Sequence, residues 1–210
     1  VTSNWPLREG KASIYEGGVR MPFIVRWPEK VKPETVCDTP VSSVDFFPTI
    51  AEMTGTSVPE NLVLDGESII SVLKQESSVI KRKDGSVREN FYWHVPHHLN
   101  FFGQFYGAIR HKNYKLYEYF EDGNMELFDL EKDVGETKDI SSEKPELVKK
   151  MHKMLKDWRK RVGASMPIPA TKENIDKKVR TYRKLGKNQK EWPLYNPPKI
   201  PPKGSYPHQQ

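Results

Sequence analysis

Apolar and polar positions alternate in two different ways along this chain, and the change comes near its middle. In the first part the apolar residues form short runs at helical or continuous spacing. Residues 1–20 read as an irregular loop of small and charged residues. Met21 to Trp27 is an unbroken apolar run closed by Pro28, which predicts a buried strand. The stretch "EKVKPET" follows as a solvated connector. "SSVDFFPTIAEMTG" predicts a helix with Asp45 as N-cap, Pro48 among the first amides, which have no helical acceptor, and Gly55 as the stop. Phe47, Ile50 and Ala51 share one face of it. "LDGESIISVLKQ" predicts a second short helix bearing Ile69, Ile70, Val72 and Leu73.

A polar stretch from Glu76 to Glu89 separates these elements from a β-rich part. "NFYWHV" and "GAIRHKNYKLYEYF" are aromatic-rich and read as strands. Asp122-Gly123 between strand-like runs is a strong hairpin signal, with "MELFDL" as the returning strand. "PELVKKMHKMLKDWRKRVG" is the clearest helix. Pro145 suits its first turn. Leu147, Val148, Met151, Met154, Leu155, Trp158 and Val162 form one apolar stripe, and Gly163 ends it. The pattern gives an α/β edge over residues 1–80, then a small antiparallel sheet packed by a helix over 81–165. Residues 166–210 form a basic, proline-rich extended tail with little periodicity. No internal repeat is present.

Composition adjusts this picture modestly. The chain has 210 residues, of which 36% are hydrophobic and 30% charged, with 17 prolines concentrated late, so the compact part is shorter than the chain. Net charge is +6, and the stretch from Lys172 to Lys203 is basic almost throughout. Such a run is either a solvated tail or a surface for polyanions. Cys37 is the one cysteine, so no disulfide forms within these residues; a bridge to a missing part of the protein stays open, and with it the redox compartment. No apolar run reaches the ~18 residues that would suggest a membrane span. The absence of an Asn-x-Ser/Thr acceptor counts against a glycosylated lysosomal or secreted protein.

Three groups of residues could carry chemistry. Lys11 follows Gly10 in a loop just before Glu16-Gly17-Gly18. A lysine there can hold an anionic group while the glycines allow close backbone approach, or it can simply be solvated. The P-loop pattern is absent. "HVPHH" supplies His94, His97 and His98, whose spacing fits no standard zinc site; either they touch substrate or they are loop histidines bonded to backbone. "DLEKDVGETKD" places Asp129, Glu131 and Asp133 like a calcium loop, but Val134 and Ile140 stand where glycine and glutamate are required, so no metal is expected there.

"PLREGKASIYEGGVRMPFIVRWP", "DTPVSSVDFFPTIAEMTG" and "LDGESIISVL", in that order, closely resemble the second half of type I sulfatases. "FYWHVPHH", "AIRHKNYKLYEYFEDGNMELFDLEKDVGETKDIS" and "WRKRVGASMPIP" are similar to the C-terminal subdomain of polysaccharide sulfatases. The resemblance spans roughly residues 4–169. It implies the edge of an alkaline-phosphatase-like α/β domain, followed by an α+β subdomain. It implies sulfate ester hydrolysis on a carbohydrate, within polysaccharide degradation, with Lys11 on the sulfate and His94 and His97 at the pocket mouth. The expected cofactors are a calcium ion and a formylglycine made from cysteine, both upstream. Cys37 lies in Cys-Asp-Thr-Pro-Val, not the family's nucleophile motif, and the Asp-Asn-Gly calcium motif is missing, so this stretch is expected to be inactive alone. Glu16 and Arg20 are expected to brace the Lys11 loop. Expected partners are a sulfated carbohydrate and the remainder of the polypeptide, with no nucleic acid, in an extracytoplasmic setting. A phosphodiesterase or phosphonate hydrolase of the same superfamily, and a non-catalytic module binding sulfated polymers, are the alternatives.

Overall fold

A computed structural model describes residues 3–97 and 105–168. Two compact units share the chain. One contains the residues up to Phe91 with Arg110–Lys115 and Asp129–Thr137; the other contains Tyr92–Ile109, Leu116–Phe128 and the chain from Lys138 onward. Four strands, β1 (Asn90–Val95), β2 (Tyr106–His111), β3 (Tyr114–Tyr119) and β4 (Met125–Asp129), form one antiparallel sheet in the order β1-β2-β3-β4 and give residues to both units.

In the first unit, α1 (Glu16–Val19) is a single turn, α2 is Phe46–Thr54 and α3 is Ile70–Leu73. Helix α2 ends at Gly55, which adopts φ 67°, a left-handed conformation that costs glycine little. Its start is fixed from outside: Asp45, completely buried, accepts from the amides of Ser42 (2.8 Å) and Glu67 (3.0 Å) and from both terminal nitrogens of Arg88, one of them at 2.8 Å. Thr49 faces inward and accepts from the Ile69 amide, so Phe47 and Ile50 are exposed and only Ala51 of the expected apolar face is buried. The second helix is much shorter than its apolar pattern suggests. Ile69, Val72 and Ile80 form a small core with Val41 and Leu73 against it.

Met21–Trp27 is not a strand. A strand persists only where its amides and carbonyls find a ladder; among the described residues none pairs with this run, and Ile24 is 91% exposed.

In the second unit, α4 (Pro145–Val162) begins with proline in its first turn and stops at Gly163, φ 62°. Met151 and Leu155 are fully buried, and Val162, expected on the same stripe, is exposed. Arg159 takes the next place on that face, four residues after Leu155, and is buried over the Phe120 ring with its Nη2 2.6 Å from Glu118 of β3. His152 contacts the other Glu118 oxygen at 3.0 Å. Burial is the strongest influence on the Glu118 carboxyl and raises its pKa, but the Arg159 guanidinium and the His152 ring outweigh it and hold the pKa below the ordinary value. Tyr92 stacks on Trp158 at 4.8 Å. The Asp122-Gly123 hairpin joins β3 to β4, with Gly123 at φ 72°. Between β2 and β3 a second tight turn, with Lys112 at φ 55°, divides what reads as one aromatic run.

Candidate active-site loop

Residues 8–13 form a loop folded back over the start of α1. The Ser13 amide donates to Gly10 O (3.1 Å) and the Gly17 amide to Arg8 O (2.9 Å). A Cβ at Gly17 would lie 2.3 Å from Arg8 O, and one at Gly18 would lie 2.1 Å from Ser13 O. Real Cβ atoms do not approach that closely, so this loop can be seated only on two glycines. Glu9 (φ 59°) and Ala12 (φ 76°) hold left-handed backbone, which non-glycine residues adopt only when surroundings impose it. Lys11 lies between them, exposed. It has no side-chain bond among the described residues.

Beneath this loop is a cluster of buried charges. Glu16, the first residue of α1, is 3% exposed and accepts a 2.6 Å hydrogen bond from Lys115 Nζ. Lys115, in β3, is fully buried and also lies 3.8 Å from Glu136, which is 1% exposed. Glu136 in turn accepts from the Glu16 amide at 2.7 Å. Its backbone oxygen accepts from Arg8 Nη1 at 3.1 Å, and Arg8 lies over the Tyr15 ring. Burial depresses the Lys115 pKa, while the carboxylates of Glu16 and Glu136 oppose that shift. Burial likewise lowers the pKa of the neighbouring Arg110, against the opposing charge of Glu16. Glu16 therefore braces the loop. Arg20 is exposed; its amide caps α1 through Glu16 O, and its charge adds to the lowering of the Arg110 pKa.

The histidines belong to the second unit. His94 is in β1, with its Nε2 2.7 Å from Ser165 O. A carbonyl oxygen only accepts, so Nε2 carries the hydrogen of this bond. Nδ1 is buried with no hydrogen-bond partner, and the ring packs near Phe120 and Trp158. His97 is exposed just beyond the strand. His98 lies outside the described residues.

No group of three or more His, Cys, Asp or Glu among the described residues could hold a metal ion, and Cys37 is an exposed free thiol. The Asp129–Asp139 segment is a structural turn. Asp133 accepts from Thr137, and Asp139 accepts from the amides of Leu127 and Ser141. Lys115 and Glu136 escape a reading of the sequence, because their partner Glu16 lies 99 and 120 positions away. The available signal is a lysine inside an aromatic strand and a glutamate directly after Gly135.

Residues 9–161 match the family model described as "N-sulphoglucosamine sulphohydrolase, C-terminal". A sulfatase of Formosa agariphila is 37% identical over 170 residues, covering 75% of this chain and 30% of the relative. An N-acetylgalactosamine-6-O-sulfatase of Bacteroides thetaiotaomicron is 30% identical, covering 73% of this chain and 30% of the relative. Among solved structures, Ps i-CgsB in complex with k-i-k-neocarrahexaose superposes with a TM-score of 0.65 at 28% identity, over 87% of this chain and 38% of the other. The chain thus spans about a third of the length of these relatives. The four-stranded sheet and the helices agree with the family match: this chain belongs to the N-sulphoglucosamine sulphohydrolase C-terminal family and is a C-terminal portion of a sulfatase.

Proposed function

We propose that this chain is the C-terminal part of an enzyme that hydrolyses sulfate esters on a carbohydrate, and that Lys11 binds the sulfate. The observation that carries the reading is the Lys11 loop itself: a strained backbone, seated on two glycines over a buried ionic cluster, holding one exposed ammonium. A fixed cation gains most where negative charge develops, because no reorganisation is needed as the charge appears. His97 contributes to the sugar-facing wall, and His94 fixes the end of β1 through Ser165. The substrate class rests on relatives such as the N-acetylgalactosamine-6-O-sulfatase. Calcium and the formylglycine nucleophile belong to the preceding part of the polypeptide, in an extracytoplasmic enzyme. That part also covers the apolar surface of the first unit. There Ile24, Val36 and Val63 are each more than 80% exposed, and a cavity of about 800 Å³ is lined by Phe23, Val25, Trp27, Val31, Val72 and Leu73. Surface of this kind marks a docking face.

The test is sulfate release from sulfated mono- and oligosaccharides by the full-length protein and its Lys11→Ala variant. Loss of one preorganised donor of this kind costs roughly 10²–10³-fold in kcat. Undiminished turnover by Lys11→Ala removes Lys11 from the chemistry. Hydrolysis of a phosphodiester to an alcohol and a phosphomonoester by the unaltered protein, with no sulfate released from the sulfated sugars, moves it to a phosphodiesterase role.

A further inference from the structure

We infer that Lys115 and Glu136 are positioning residues for Lys11, and that the buried Glu16–Lys115–Glu136 cluster sets where that ammonium stands. The inference rests on the sulfatase reading for its catalytic consequence, and on geometry alone for the loop. The chain of contacts is continuous. Lys115 Nζ holds the Glu16 carboxylate at 2.6 Å, and Glu136 holds the Glu16 amide at 2.7 Å, so side chain and backbone of one residue are gripped from two directions. Glu16 is followed at once by Gly17 and Gly18, where a Cβ would fall 2.3 and 2.4 Å from the carbonyl oxygens of Arg8 and Glu9, and 2.1 and 2.6 Å from those of Ser13 and Gly10, so the loop is packed directly on the glycine backbone. Arg8, where the loop begins, is tied to the Glu136 carbonyl. A displacement of Glu16 therefore moves Gly17 and Gly18, and the loop cannot stay where it is.

The cluster's composition favours this role over plain stabilisation. Two carboxylates share one ammonium, all three almost without solvent exposure. Burying such a group gains little stability over an apolar core of the same shape, whereas losing one member is severe. What it supplies is a unique geometry, because charged hydrogen bonds are short and directional. Catalytic groups need that support, since a misplacement of about 1 Å at a reacting centre can reduce the rate roughly 10²-fold.

The experiment is a double-mutant cycle in the full-length enzyme, read as kcat/KM for a sulfated sugar. Glu136→Ala leaves Lys115 its 2.6 Å partner Glu16 and is the milder variant, with thermal unfolding checking that the fold is kept; Lys115→Met is the harsher one. Each is expected to lower kcat/KM roughly 10- to 100-fold in the native background and less than about 3-fold in the Lys11→Ala background. Glu136→Gln restores an acceptor for the Glu16 amide and is expected to recover most of the loss. Equal losses in both backgrounds overturn the inference. Amide hydrogen exchange supplies a readout independent of activity: Ser13 and Gly17 exchange faster in Glu136→Ala, while amides of α4 are unchanged. Unaltered exchange at Ser13 and Gly17 also overturns it. Absence of sulfate release from the unaltered enzyme removes the sulfatase reading instead, and exchange alone then decides the loop.

Discussion

Replacing Asp45 by alanine isolates a completely buried carboxylate of the first unit. The change deletes the acceptor for two backbone amides and both terminal nitrogens of Arg88, whose side chain is only 5% exposed. Arg88 keeps a 3.3 Å bond to Pro40 O and its place over the Phe91 ring, neither of which neutralises its charge. Breaking a buried pair from one side costs about 3–5 kcal/mol, since the remaining charge is left without compensation. Arg88→Ala leaves Asp45 with its two amide donors, and a carboxylate so solvated is destabilised less, by about 2–3 kcal/mol. Removing both side chains leaves no orphaned charge. The double variant is therefore expected to lose about 1–3 kcal/mol less than the sum of the singles. The assay is urea unfolding of the three variants beside the unaltered protein, followed by a probe of the first unit. Additivity within about 0.5 kcal/mol refutes the argument, because it means that neither charge depends on the other.

Other outcomes follow from the same contacts. Leu155→Ala, at a fully buried position of α4, is expected to cost about 2–5 kcal/mol, whereas Val162→Ala on the exposed side of that helix stays within about 0.5 kcal/mol in the same denaturant series. The Glu118 carboxyl has a folded pKa below its unfolded value, so the unfolded chain binds the proton more readily and stability falls with pH. That contribution is complete above the ordinary carboxyl pKa of about 4.3 and is lost as pH drops through the lower folded value. Glu118→Gln should flatten this acid limb in stability measured from pH 6 downward, and an unchanged limb excludes Glu118 as its source. Gly18→Ala places a methyl group 2.1 Å from Ser13 O, and is expected to reduce sulfate-ester turnover by roughly 10²-fold or more while the helical circular dichroism of the protein is retained.

What the sequence discloses is what short-range chemistry decides. Helix α4 is legible from its apolar stripe, with Pro145 and Gly163 at its ends. Helix α2 is legible from Gly55, and the β3–β4 hairpin from Asp122-Gly123, since each signal acts within a few residues. The failures involve distant partners. Met21–Trp27 has strand composition, but a strand is made by its neighbour. Phe47 and Ile50 point outward because Thr49 is drawn in by the Ile69 amide, twenty positions on. Arg159 looks like a solvated helix residue until Glu118 of β3 is placed against it. At the candidate site the sequence reveals Lys11, Glu16 and the glycine pair through motif resemblance. Lys115 and Glu136 are hidden because an ion pair leaves no local pattern.

Whether the ammonium of Lys11 meets the sulfate group is read from kcat/KM for sulfate release from a sulfated oligosaccharide by full-length enzyme carrying Lys11→Ala. A loss of roughly 10²–10³-fold, with the thermal unfolding midpoint unchanged, is the expected result. Turnover equal to that of the unaltered enzyme contradicts it.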